Sequence, residues 1–335
     1  MKRNKIIIGS RGSKLALIYA KRAKEKILYF YPEVEIQKIT TTGDINQKDR
    51  LSKIGGKGLF SKQIENELLD KQIDIAVHAL KDLPSEETED LLTNCFLERN
   101  DPREALVNNN NNLITDLKPN SIVGTSSLRR EFQLKKIRND LNYKLIRGNV
   151  DTRIKKLNDK LYDAIILSYA GIKFLKLDQN ISQIFSTREI IPCVGQGTVA
   201  LQCRKNDHEI IKLLDKINHK QTNICVIAER CFLKVLQGDC ETAVGAIANI
   251  EEEKINLEAE LFSIDGKQRF YHKASKDINF SRELGIEVGE ILKKESNNSY
   301  KRWYAYFINK TLRRQSWSYI KISKTQSWGF SYAID

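Results

Sequence analysis

The sequence holds none of the short spacings that announce metal, redox or nucleotide chemistry. Its six cysteines, at 95, 193, 203, 225, 231 and 240, form no Cys-x-x-Cys pair and have no histidine nearby at ligand spacing. That pattern argues against zinc sites and redox dithiols, and in a reducing compartment such residues are small buried hydrophobes. The four histidines, at 78, 208, 219 and 272, are scattered and form no pair on a helix face. No apolar run approaches the ~18 residues that span a bilayer. The basic start, Met1 to Lys5, leads only into Ile6-Ile7-Ile8, too short for a secretory signal, and it is not a Ser/Arg-rich import leader. Gly55-Gly56-Lys57-Gly58 lacks P-loop spacing, and Gly195-Gln196-Gly197 lacks a third glycine and an acidic ribose ligand. There is no Gly-x-Ser-x-Gly elbow. Nucleotide chemistry and triad hydrolysis both lose ground, and a soluble, cytoplasmic protein is expected.

What remains is an ordinary globular composition, 41% hydrophobic and 30% charged over 335 residues, long enough for more than one domain. The net charge of +13 invites a nucleic-acid reading, but its distribution weakens that idea. Residues 297–335 carry seven Lys and Arg against one acid, Asp335, together with all three tryptophans. Much of the other positive charge is lysine on amphipathic helices, such as Lys21 to Lys26. The aromatic, basic tail could stack on single-stranded nucleic acid or lie at a membrane surface. It has neither a helical nor a two-residue period, so an extension with no selected role is the favoured reading.

Along the chain, 5–10 reads as a buried strand, 13–31 as an amphipathic helix closed by Pro32, and 34–42 as a strand. Residues 43–58 form a polar, glycine-rich loop long enough to be a lid. A helix over 59–69 precedes an apolar strand over 73–80. A second unit runs from about Glu104 to Ile191, with strands at 121–124, 143–146 and 163–167; its asparagine run, 108–112, reads as an exposed loop. After 197 the pattern changes to a helix over 223–236, strands within 243–271 and a last helix near 280–294. Strands alternating with helices predict mostly parallel sheets covered on both faces, with ligands beyond the strand carboxyl ends.

Arg11, Asp82 and Ser126-Ser127 fall on that rim. Gly124-Thr125-Ser126-Ser127-Leu128-Arg129-Arg130 and Arg147-Gly148-Asn149-Val150-Asp151-Thr152-Arg153 place four arginines where strands feed helices. A guanidinium fork matches a carboxylate two bonds at a time, and free N–H groups at a helix start add anion affinity. The pair suggests a cleft for a small molecule with several negative charges; two solvated basic helix starts would look the same in sequence. Asp82, after an apolar strand and beside Lys81, is the candidate acid/base, held ionised by the cations; a turn cap before Pro84 is the plainer reading. Cys240 lies on a loop after a helix, where a thiol is available, although adjacent Asp239 disfavours the thiolate. A structural cysteine is equally consistent.

Taken together, the residues resemble the porphobilinogen deaminase (hydroxymethylbilane synthase) family over roughly 4–295. The resemblance rests on Gly9-Ser10-Arg11-Gly12-Ser13-Lys14-Leu15-Ala16-Leu17, Gly55 to Phe60, His78-Ala79-Leu80-Lys81-Asp82-Leu83-Pro84, the two arginine motifs, Gly195-Gln196-Gly197 and the Cys240 loop, all in the expected order. It implies two periplasmic-binding-protein-like α/β lobes with mostly parallel sheets (1–99 with 196–217, and 100–195), a smaller C-terminal α+β domain (218–295) and the tail 296–335. It also implies a dipyrromethane cofactor attached through Cys240, on which four porphobilinogen units condense head to tail with loss of ammonia before hydroxymethylbilane is released. Asp82 and Lys81 would then be catalytic. Lys81, Asp82, Ser127, Arg129 and Arg130 would hold the cofactor, and Arg11, Ser13, Thr125, Arg147, Arg153 and Gln196 the substrate, with Lys53, Lys57 and Phe60 on a lid. The chain would act as a monomer on porphobilinogen, without metal, membrane or nucleic acid.

Two positions depart from the family pattern. Phe174 stands where arginine is usual, with Lys173 and Lys176 nearby, and Asp239 replaces a glycine before the cysteine; the tail has no counterpart. The competing readings are a non-catalytic two-lobed organic-anion binder, which needs neither Asp82 nor Cys240, and nucleic-acid binding through the tail.

Overall fold

In a computed structural model, residues 3–42, 58, 60–238 and 242–301 are described. The first sheet has the order β2-β1-β3-β10-β4, built from β1 (Lys5–Arg11), β2 (Glu33–Ile39), β3 (Ile75–Ala79), β4 (Leu91–Phe96) and β10 (Val199–Arg204). The second repeats the plan as β7-β6-β8-β5-β9, from β5 (Glu104–Val107), β6 (Ile122–Gly124), β7 (Asn142–Lys144), β8 (Ala164–Ser168) and β9 (Ile181–Ile184). In each sheet four strands run one way and one runs against them: β10 in the first, β5 in the second. Both reversed strands begin where the chain has just crossed from the other sheet. The predicted mostly parallel sheets are therefore present, and the antiparallel exceptions mark the two crossovers, 97–103 and 185–198.

Helices cover both faces of each sheet, because the central strands bury mostly apolar side chains on both sides. α1 (Lys14–Ile27) and α6 (His208–Ile217) bury Tyr19, Ala20, Ala23, Ile27, Ile210 and Leu214 against Ile6, Ile8, Val77 and Leu201. α2 (Lys62–Leu69) lays Ile64 and Leu68 on the opposite face. In the second unit, Leu134 of α3 (Leu128–Ile137) packs on one face. Ile154 and Leu157 of α4 (Val150–Asn158) and Ile172 of α5 (Tyr169–Phe174) pack on the other. A third sheet, the meander β11 (Val244–Glu251), β12 (Lys254–Phe262) and β13 (Arg269–Asp277), is covered on one face by α7 (Lys220–Leu236) and α8 (Ser281–Ser296).

Several expectations need correction. α1 ends at Ile27, four residues early, because the chain turns out into solvent at Tyr29, which is 83% exposed. β4, β5, β9 and β10 were not anticipated as strands. The asparagine run is the expected loop, exposed over 109–111, except that Asn108 is buried and its side-chain oxygen accepts from the backbone N–H groups of Asn110 and Asn112. It is an Asx-type turn stabilised from within. No helix among the described residues is long and apolar enough to cross a membrane.

Candidate active site

The carboxyl ends of β1, β3, β6 and β8 face one another across a cavity of about 300 Å³. Seven basic side chains line it (Arg11, Lys14, Lys81, Arg129, Arg130, Arg147 and Arg153) against two acids, Asp82 and Asp151. The first unit supplies Arg11, Lys14 and Lys81; the second supplies the other four. Neither unit alone makes the site.

Asp82 ends a single 3-10 turn that follows β3, fixed by the Leu83 N–H donating to Leu80 O at 3.1 Å. Its carboxylate lies 3.6 Å from an Arg11 guanidinium nitrogen. That guanidinium also stacks over the Phe60 ring, 4.3 Å from its centroid, so Phe60 closes one wall. Lys81 points the other way. Its ammonium donates to the side-chain oxygen of fully buried Gln196 at 3.2 Å, and Gln196 in turn donates to Pro102 O at 2.7 Å. Burial first, and then Arg130, pull the Lys81 pKa below its usual range. Ser13 lines the cavity while capping α1, its hydroxyl accepting from Ala16 N.

The arginine pair divides its duties. Arg129 and Arg130 are buried, and both engage Glu104, the fully buried first residue of β5. Arg129 also donates to Ile191 O, and Arg130 to Ile166 O. Arg130 nonetheless keeps a buried Nε with no hydrogen-bond partner among the described residues. Ser127 caps α3, accepting from Arg130 N at 3.4 Å. Thr125 does not line the cavity; its hydroxyl accepts from Ser127 N, holding the turn behind it. Arg153 donates to Gly148 O. Its pKa is pushed down to about 10, first by burial and then by Arg130 and Arg147. Such crowding of like charges is relieved when anions bind among them.

The crossovers are pinned directly behind the site. Gly197 adopts φ +82°, and a Cβ there would come within 2.4 Å of Asn100 O, so the two chain segments touch only because glycine is present. Glu229, fully buried in α7, accepts from Arg99 on one crossover, from Gly195 N on the other at 2.8 Å, and from Ala248 N of β11 at 2.8 Å. A single carboxylate thus ties all three units to the segment carrying Gln196. Glu104 and Glu229 were both missed from sequence; Glu229 is an acid inside a mostly apolar run, 224–232, the signal of a buried charge with a partner, whereas Glu104 follows Asp101-Pro102-Arg103 and gives no such signal.

Phe174 does not reach the cavity. It stands edge-on to Tyr19 at 5.4 Å and beneath Arg22 at 4.9 Å, clasping α5 to α1. Lys173 and Lys176 are exposed and do not line the cavity either. Lys53, Lys57, Asp239 and Cys240 lie outside the described residues, as does the tail from 302. Gly238, the last described residue before that cysteine, lines a small cavity of about 60 Å³ together with Lys81, Asp82 and Pro84.

Two like-folded α/β lobes, with an arginine-rich cleft between them and a third domain at their hinge, define a two-lobed fold whose cleft suits an organic anion. Residues 6–212 match the family model "Porphobilinogen deaminase, dipyromethane cofactor binding domain", and 223–294 match "Porphobilinogen deaminase, C-terminal domain". The chain is 42% identical over 295 residues to porphobilinogen deaminase of Staphylococcus epidermidis, covering 87% of this chain and 95% of that one. It is 42% identical over 293 residues to that of Rickettsia typhi, covering 86% and 98%. Among solved structures it is similar to the methionine-binding protein MetQ, at 12% identity and TM-score 0.41, covering 63% of this chain and 89% of that one. The chain belongs to the porphobilinogen deaminase family. It is a transferase of tetrapyrrole synthesis whose 6–212 segment binds a dipyrromethane cofactor.

Proposed function

We propose that Asp82 is the catalytic carboxylate, assisted by Lys81, and that Cys240 carries the dipyrromethane through a thioether. The observation that carries this reading is Asp82 set among basic side chains drawn from both lobes. The residues present fit the group. A dipyrromethane made from two porphobilinogen units has four carboxylates, and the cavity lining has five more cations than acids, reduced to four by Glu104 behind it. Arg130 Nε and the crowded Arg153 are the places where an anion would be most favoured. When bound, the cofactor supplies the primer that substrate units extend.

Lys81, Ser127, Arg129 and Arg130 hold primer carboxylates. Arg11, Ser13, Arg147, Arg153 and Gln196 position substrate, with Thr125 acting through the Ser127 turn and Phe60 closing one wall of the cleft; Lys53 and Lys57, the other two expected lid residues, lie outside the described residues. Loss of ammonia from the aminomethyl group leaves an electron-poor azafulvene. Asp82 holds its positive nitrogen and accepts the proton released as the next carbon–carbon bond forms. These steps use ion-pair and acid–base chemistry of side chains alone, without a metal. The five described cysteines are free thiols, consistent with a reducing cytoplasm, and one chain supplies every residue named, consistent with a monomer. The lobes are assigned to 1–99 with 196–217 and to 100–195, with 218–295 as the third domain.

The test is Asp82→Asn, which keeps shape and loses charge. Porphobilinogen consumption should fall by about 100-fold or more while porphobilinogen binding persists. A wild-type rate removes Asp82 from this role.

A further inference from the structure

A second, larger cavity, about 490 Å³, opens between α7, β4 and the 85–87 turn, away from the cleft between the lobes. Its size suits a small organic ligand, within the ~300–1,000 Å³ of such sites. The floor is apolar: Leu92, Phe96, Val226 and Ile227. Around it stand four cations, Lys205, Arg230, Lys234 and Arg282, against two acids. Both acids already have duties. Glu86 pairs with Lys234 at 3.1 Å, and Glu87 accepts from Thr93 N at 3.1 Å.

The net excess is two positive charges over an apolar base. Ser85, a lining residue only 5% exposed, has a buried hydroxyl with no hydrogen-bond partner among the described residues. A buried polar atom without a partner is costly, and a ligand that supplies one recovers that cost.

We propose that this cavity is a second binding site, for a small organic dicarboxylate with a flat apolar body. The body rests on Phe96, Val226 and Ile227, its carboxylates face Arg230 and Arg282, and Ser85 donates to one of them. The site is connected to catalysis by geometry. Arg230 donates to Pro84 O at 2.9 Å, two residues beyond Asp82, and also lines the small cavity that Asp82 shares with Gly238. A ligand that draws the guanidinium outward loosens the turn carrying Asp82, so occupancy lowers turnover.

The probe is phthalate, titrated calorimetrically into full-length enzyme carrying its covalent cofactor. Ile227→Trp fills the cavity and Arg282→Glu reverses a rim charge; each should weaken phthalate binding at least about tenfold. Arg147→Leu, in the cleft between the lobes, should leave that binding intact. Without phthalate, porphobilinogen turnover of the Ile227 and Arg282 variants should match wild type. Wild-type phthalate affinity in either of those variants overturns the proposal, as does a loss shared with Arg147→Leu or the absence of any heat of binding. Porphobilinogen turnover is measured separately, so failure here leaves the assignment of Asp82 and Cys240 standing.

Discussion

Replacing Glu104 with glutamine removes one negative charge from a fully buried cluster and leaves Arg129 and Arg130 facing each other without their shared carboxylate. Burial alone would raise the Glu104 pKa; the Arg130 and Arg129 guanidiniums reverse this and hold it at about 2, against an ordinary 4.5. A depression of that size corresponds to about 3 kcal/mol of folding stability near neutral pH, in line with the ~3–5 kcal/mol lost when one partner of a buried ion pair is removed. The sign follows from the lowered folded pKa. The stabilisation is complete above pH 4.5 and is lost as pH falls from there towards 2, with about 2 kcal/mol disappearing between pH 7 and pH 3. Urea unfolding followed by far-ultraviolet circular dichroism is the suitable assay, because all three tryptophans lie in the tail, outside the domains concerned. Glu104→Gln should be about 3 kcal/mol less stable at pH 7, and its stability should fall less steeply than wild type as the solution is acidified. Equal stability at pH 7, or parallel pH profiles, would refute the assignment of Glu104 as the counter-charge of the arginine pair.

Two further variants probe the hinge and the departure from the family pattern. Glu229→Gln turns an acceptor of four bonds from three residues into a group whose amide opposes a backbone donor. It should cost about 3 kcal/mol in urea unfolding and raise the KM for porphobilinogen, because Gln196 and Lys81 lose their support; unchanged unfolding and KM would show that the crossovers hold without it. Phe174→Ala removes a ring contact and a cation–π contact between α1 and α5, at about 1–3 kcal/mol, yet should leave turnover within about fivefold because the ring is outside the cavity. A fall of about 100-fold would mean that position 174 acts on substrate.

The cleft was legible because its parts obey local rules. Arg11, Asp82 and Ser127 follow apolar strands, and arginines clustered at helix starts say what charge the ligand has. The antiparallel strands were not legible. β5 and β10 pair with strands brought close only after the chain has crossed between units, and Val199–Arg204 carries the glutamine and arginine that a buried strand ordinarily lacks. Gln202 and Arg204 are buried because Glu65 and the Leu68 and Ile73 carbonyls meet them from α2 and its following turn. Glu104 and Glu229 escaped notice for the same reason, since their partners lie at Arg129, Arg130, Arg99 and Gly195. The ligand contact of Thr125 is implied by the family resemblance alone; its hydroxyl accepts from Ser127 N, a bond that no local pattern in the sequence announces.

The most direct measurement is the intact mass of the protein purified from a host that makes porphobilinogen. Wild-type chain should carry the added mass of two linked pyrrole units, and Cys240→Ala should not. An unmodified wild-type chain, or an adduct that survives in Cys240→Ala, would contradict the account.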